Sequence, residues 1–476
     1  MLSSLGGVLL LVGTAQYLFF PNIYKDFDPD IFIFIYGAFG GITWFLFKVK
    51  KAQSMNQVLK LFFVSRLTIL ILQMFCYSIW GYYNWYYGTE VGYYGQLADA
   101  LLNPVPYPPW GTIKFGIPPG FQFWLLIYDV LIFNLPIAFY REIAFGVFNM
   151  AFELGTIFVI VKMHESKSYR AFTRLPERDD KDMFSFGILF YAVSIFNLYY
   201  SNVRNFMDAI PIFLGILGLF FFIQKRYAIS SFLLSLSTLM KFVPLFWILL
   251  IVLKFIKTRD FKAALLFTLV AATTATIAFV SSALYFKQEP ISYFFNFFEL
   301  FQKWSTKAGS NLQLNQAFWF PIYNGAFFAA GLLGMAVICL FFVYKEDGGP
   351  SIHAFTSITS IYFVFQPWYD QRYVIWILPF LCLDLFSSKR NFAIIITLFY
   401  ISIFIYLFFM HFPYNLGIDT RITSPTPLVG NIYRLTGQFI SYAAFLLIPI
   451  IHIKQILHKP LVYTKIDLES GGSECS

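Results

Sequence analysis

From Ala263 to Phe286 the chain reads AALLFTLVAATTATIAFVSSALYF, 24 residues without a charge. A helix needs about 20 apolar residues to cross bilayer hydrocarbon, and in lipid only a helix or a closed barrel satisfies its own backbone. Comparable apolar segments fall near 4–20, 31–48, 58–80, 143–163, 183–200, 209–224, 227–241, 242–256, 321–344, 351–366, 371–387, 391–410 and 437–455. Their apolar residues are continuous and do not alternate, which excludes a membrane barrel. With 58% hydrophobic, 22% aromatic and 12% charged residues and a mean hydropathy of +0.66, the rest of the chain offers no soluble domain to balance them. The expected fold is all-α, a polytopic transmembrane helical bundle of about 13 or 14 spans. Several segments are too short for a full span, so those helices should be broken or re-entrant, with their ends buried in protein.

The net charge of +9 does not indicate nucleic acid, because the basic residues cluster in short loops between apolar segments. There they set orientation. Lys48, Lys50 and Lys51, the stretch KMHESKSYRAFTRLPERDDKD, Lys225 with Arg226, KFIKTRDFK, SSKR and the tail from Lys454 share the cytoplasmic side if 118–137 lies along the interface without crossing. Both termini are then cytoplasmic. The first 20 residues lack a basic start and a small-residue cleavage site, and read as a retained span. Cys76, Cys339, Cys382 and Cys475 form neither a disulfide framework nor a zinc pattern, and the five histidines are dispersed.

That orientation puts the polar chemistry outside. The cytoplasmic loops carry no phosphate-binding glycine loop and no HExxH. Lys241 interrupts the apolar run TLMKFVPLFWI, with Pro244 close behind. A charge there costs a few kcal/mol on insertion scales, so it either snorkels to the interface or marks a substrate site at a helix break. Arg372, after YDQ, poses the same choice between phosphate ligand and interfacial anchor. Asp208 stands at an outer corner with Arg204 and Asn205, ahead of Pro211, where acid and base either pair or bind sugar hydroxyls. Glu153 and Asp129 lie in apolar runs, and each needs a partner. The loop 286–320 mixes aromatics with Asn311, Gln313 and Asn315, a composition suited either to a sugar or to an interfacial belt. In KDFDPD at 25–30, Asp26 and Asp28 form an alternative acidic site able to hold a divalent metal through oxygens.

The longest external loop, 81–119, contains YYNWYYGTEVGYYGQLADALLNPVPYPPWGTIKFGIPP. Glu90 follows its aromatic belt, a tyrosine-rich helix then ends near the "PY" at 106–107, and "PP" at 118–119 opens an apolar helix. This order resembles the first external loop of the GT-C superfamily of integral membrane glycosyltransferases, closest to the polyprenyl-phosphate-mannose-dependent mannosyltransferases of bacteria and archaea. The segment RNFMDAIPIFLGILGLFFFIQKRYAISSFLLSLSTLMKFVPLFW is similar to the family's span pair ending in lysine, and QRYVIWILPF to its "QY..W..P" segment.

The resemblance covers roughly 58–410. It implies two added N-terminal helices (1–57), a catalytic core (58–410), and an external loop, last span and cytoplasmic tail (411–476). It further implies transfer of a hexose, mannose by the closest likeness, from a polyprenyl-phosphate donor to a lipid or glycan acceptor outside the plasma membrane of an archaeon or bacterium. Glu90, standing where the family usually carries aspartate, would be the catalytic base. Lys241 and Arg372 would bind the donor phosphate, and Asp208, Arg204, Tyr94, Tyr107, Tyr373 and Asn311 the sugar or acceptor. No cofactor is called for. The competing readings are a transporter or lipid flippase, which usually shows repeated halves with matching helix breaks, and a subunit that binds lipid-linked sugar without catalysis.

Overall fold

The structure is a computed structural model that describes residues 54–80, 119–128, 138–166, 180–203 except 195, 206–297, 324–346, 351–365, 373–384, 391, 394–402 and 428–458. The fold is all-α, and among the described residues there is no strand. Among the described residues the helices include α1 (Met55–Trp80), α2 (Pro119–Tyr128), α3 (Ala138–Glu165), α4 (Asp180–Val193), a π-helical turn (Asn197–Val203), α5 (Ala209–Ile223), α6 (Tyr227–Met240), α7 (Val243–Lys257), α8 (Phe261–Tyr285), α9 (Asn324–Lys345), α10 (Ile352–Phe365), α11 (Val374–Asp384) and α12 (Leu428–His458).

These helices fall on the apolar runs, and the chain is a membrane protein. Ile143–Glu165, Phe261–Tyr285 and Phe439–Leu457 are long and apolar enough to cross a bilayer. The shorter apolar helices, among them α5, α6, α10 and α11, are packed inside the bundle. Two expectations are adjusted. The run 183–200 does not form one helix: Ser194 Oγ accepts from the Phe196 amide (3.3 Å) and Asn197 Nδ2 donates to the Tyr191 carbonyl (3.0 Å), so side chains replace the regular ladder. The last helix begins at Leu428, inside the segment read as loop, directly after Pro427, whose ring suits a helix start.

The centre of the bundle is a tight hairpin of α5 and α6. Lys225 adopts a left-handed conformation (φ 61°), and the amides of Lys225 and Arg226 bond back to Phe222 and Phe221 at 2.9 Å each, satisfying carbonyls that the end of α5 leaves open. Gly218 allows the close approach: a Cβ there would stand 2.8 Å from Leu234 Cγ. Helix α3 lies against α5, α8 against α6, and α10 against both α9 and α12. The main core runs through Trp247, Phe267, Phe355, Trp376 and Phe445, while a smaller one gathers Leu125, Phe145, Met207, Ile210, Met240 and Tyr293 under α2.

Two polar devices tie the bundle together. Arg66 of α1 and Glu153 of α3 form a fully buried ion pair (2.9 Å), which identifies the partner that Glu153 requires. At the other end of the molecule from the α5 start, Lys254 Nζ donates to the carbonyls of Val343 (3.2 Å) and Glu346, and Lys257 Nζ to that of Tyr344 (2.8 Å). These lysines of the KFIKTRDFK stretch therefore cap the C-terminus of α9, where cations are favoured.

Candidate functional site

Helix α6 ends at Met240, and Lys241 follows in extended backbone (φ −149°, ψ 135°). Helix α7 restarts at Val243 with Pro244 in its first turn, so the chain breaks at the lysine. The hairpin returns this break to the level of the α5 start, where Met207 and Asp208 form a turn. Asp208 does not cap its own helix with its side chain. Its Oδ1 instead accepts from Lys241 Nζ and from the indole N–H of Trp376 on α11 (2.7 Å).

Aromatic rings complete the site. Lys241 Nζ lies 5.4 Å over the ring of Tyr373, within cation–π range. Tyr373 stacks on Phe363 (4.8 Å, 12°), and Trp376 packs edge-on to Trp247, whose N–H is held by Thr359 Oγ1 (2.8 Å). Asp208 is 2% exposed and Trp376 1%, whereas the Lys241 side chain is 27% exposed. The carboxylate is thus buried with a charge partner and a neutral donor, as a buried charge requires. Of the three, Lys241 is the partly exposed member. A lysine fixed in this way is a preformed point charge at a helix break, suited to an anionic group.

The sequence expectations divide cleanly. Lys241, Asp208 and Tyr373 are brought together. Glu90, Tyr94, Tyr107, Arg204, Asn311, Arg372, Asp26 and Asp28 lie outside the described residues, as does Asp129. Trp376 was not singled out from sequence, although it is the W of QRYVIWILPF, and an indole N–H in an apolar helix needs an acceptor. Among the described residues no three His, Cys, Asp or Glu side chains gather to hold a metal ion.

Helix α2 closes one side of this region. A Cβ on Gly120 would lie 2.8–3.0 Å from the Cβ, carbonyl carbon and oxygen of Leu239, two residues before Lys241. Gln122 Nε2 donates to the Tyr293 hydroxyl (2.8 Å), linking α2 to the segment beyond α8. There, the backbone amides of Ser292 and Ile291 hold the Glu289 carboxyl below its ordinary range. Because Leu239 presents backbone and not a movable side-chain tip, Gly120→Ala should force α2 off α6 and destabilise the protein by about 1–3 kcal/mol. Thermal melting in detergent measures this, and an unchanged Tm would mean that the contact can relax.

Residues 118–367, just over half of the chain, match the family model of Glycosyltransferase family 87. The matched stretch contains Asp208 and Lys241 and ends before Tyr373. No curated protein and no solved structure matches the chain.

Proposed function

Since the chain belongs to Glycosyltransferase family 87, a family of GT-C-type integral membrane glycosyltransferases, we propose that it transfers a hexose, in the first instance mannose, from a polyprenyl-phosphate donor. The acceptor is a lipid or glycan at the outer face of an archaeal or bacterial plasma membrane. The observation that carries this reading is the partly exposed Lys241 at a helix break, oriented by buried Asp208. A phosphate bound to an isoprenoid tail arrives from within the membrane plane, and Lys241, at a break between two apolar helices, offers it a charge there.

In the reaction, an acceptor hydroxyl oxygen bonds to the anomeric carbon as the bond from that carbon to the phosphate oxygen breaks. Glu90 takes the hydroxyl proton as general base. Lys241, with Arg372, receives the charge left on the departing polyprenyl phosphate. Attack opposite the leaving group inverts the anomeric centre, and a good leaving group makes a second carboxylate unnecessary, unlike the paired acids of glycosidases. Asp208 orients the lysine, while Arg204, Tyr94, Tyr107, Tyr373 and Asn311 meet the hydroxyls of sugar and acceptor.

The test uses the purified full-length protein with radiolabelled polyprenyl-phosphate-mannose and a membrane extract as acceptor source. Wild type and Asp28→Asn should transfer label, and Glu90→Gln should lower the rate by about 100-fold or more. Full activity in Glu90→Gln with loss in Asp28→Asn would move the base to the 25–30 loop. No transfer by the wild type would overturn the proposed donor and favour a transporter or a sugar-binding subunit.

A further inference from the structure

The corner that presents Asp208 is built from irregular backbone. After α4 ends, the chain makes a π-helical turn over Asn197–Val203, and the Phe206 amide then bonds to the Tyr200 carbonyl (2.9 Å) before Met207 and Asp208 turn into α5. π-turns are uncommon and recur at functional sites, because they leave carbonyls outside the regular ladder. One side chain from another helix donates both to a carbonyl of this turn and to one just beyond it. Asn149 of α3 is fully buried, and its Nδ2 donates to Ser201 O (2.8 Å) and to Phe206 O (3.1 Å).

The two acceptors lie on either side of residues 202–205, so a single amide holds the chain before and after that stretch, close ahead of Asp208. Its own position is well determined. Glu153 is one turn further along the same face of α3 and is anchored to Arg66 of α1. The clamp is thus referenced to a different pair of helices from the hairpin that carries Lys241.

We propose that Asn149 is a positioning residue of the Lys241 site: by fixing Ser201 and Phe206 relative to α3, it sets where the Asp208 carboxylate meets Lys241 and Trp376. The functional consequence rests on the reading of Lys241 as the donor-phosphate ligand. Charged constellations of this kind tolerate displacements of only about half an ångström. Losing the clamp should therefore weaken donor binding more than it slows chemistry, since the ammonium keeps its charge and the donor phosphate it holds is already anionic before transfer. A residue that merely satisfied carbonyls would lower stability without that split.

The experiment compares Asn149→Leu, which keeps the shape and removes both N–H groups, with Asp208→Asn and with the double variant. Asn149→Ser serves if the leucine variant does not fold. With radiolabelled polyprenyl-phosphate-mannose, Asn149→Leu should raise the donor KM by about 10-fold and leave kcat within about 3-fold. The double variant should be no worse than Asp208→Asn alone, as expected of residues acting through one contact. An unchanged KM, or effects that multiply in the double variant, would overturn the proposal. Should the wild type transfer no sugar, the donor reading fails separately. The same cycle is then read in Tm, where non-additive shifts support the link from Asn149 to Asp208 and additive shifts overturn it.

Discussion

With Lys241 as the proposed donor-phosphate ligand, Lys241→Ala should lower kcat/KM for a polyprenyl-phosphate sugar by about 100- to 1,000-fold, the usual cost of removing one group that stabilises charge developing in a transition state. The geometry sharpens the expectation. The lysine is the partly exposed member of the cluster, whereas Asp208 and Trp376 are buried. Its removal also strips Asp208 of its charge partner and leaves the indole N–H of Trp376 on the carboxylate. Some loss of stability should accompany the loss of rate, and the two are separable. Asp208→Asn added to Lys241→Ala neutralises the buried carboxylate that has lost its lysine, so the double variant should regain melting temperature without regaining transfer. Lys241→Arg keeps the charge but replaces a compact ammonium by a planar fork, and should retain only part of the activity. Initial rates and melting curves on the same preparations decide the matter. Near-normal transfer by Lys241→Ala would remove the lysine from the phosphate site.

The largest effect on stability is expected at the Arg66–Glu153 ion pair. Arg66→Met leaves Glu153, which is 1% exposed, without its ion-pair partner, and should cost about 3–5 kcal/mol. The arginine also donates to the Ala192 carbonyl and to Ser65 Oγ (3.1 Å) and lies 4.0 Å over the Phe62 ring, so its loss loosens α1 from both α3 and α4. The double substitution Arg66→Met with Glu153→Leu removes both charges and should recover much of the loss, because apolar replacement of an entire buried pair is often neutral. Denaturation in detergent measures both variants. A single variant as stable as the wild type would mean that water or another group reaches Glu153.

The helices were legible because lipid makes length and polarity decisive. The run 227–241 became Tyr227–Met240 and the run 242–256 became Val243–Lys257, each bounded by a basic turn or by Lys241 and Pro244. The meeting of Asp208 with Lys241 was within reach as well: two helices of 15 and 14 residues joined by a tight turn return their far ends to one level. What the sequence withheld was partnership over long separations. It made plain that Glu153 needed a counter-charge, but nothing in the order of residues selected Arg66, 87 positions away. Trp376 meets Asp208 across 168 positions, and only the packing of α11 against its neighbours brings them together. The break at Ser194 was hidden for a different reason. Its apolar surroundings look like a continuous span, and the hydrogen bonds that interrupt the helix come from two small polar residues that a hydropathy average dilutes.

The hairpin of α5 and α6 works as a molecular ruler. Adding one residue to either arm would swing the side chain at its tip by about 100° and lift it by about 1.5 Å. Lys241 and Asp208 would then pass each other without touching. Insertions and deletions between 209 and 240 are tolerable only in matched sets, so this segment should drift in composition while holding its length. Spacing across it is therefore a stricter marker of a working enzyme than the identity of any apolar residue within it.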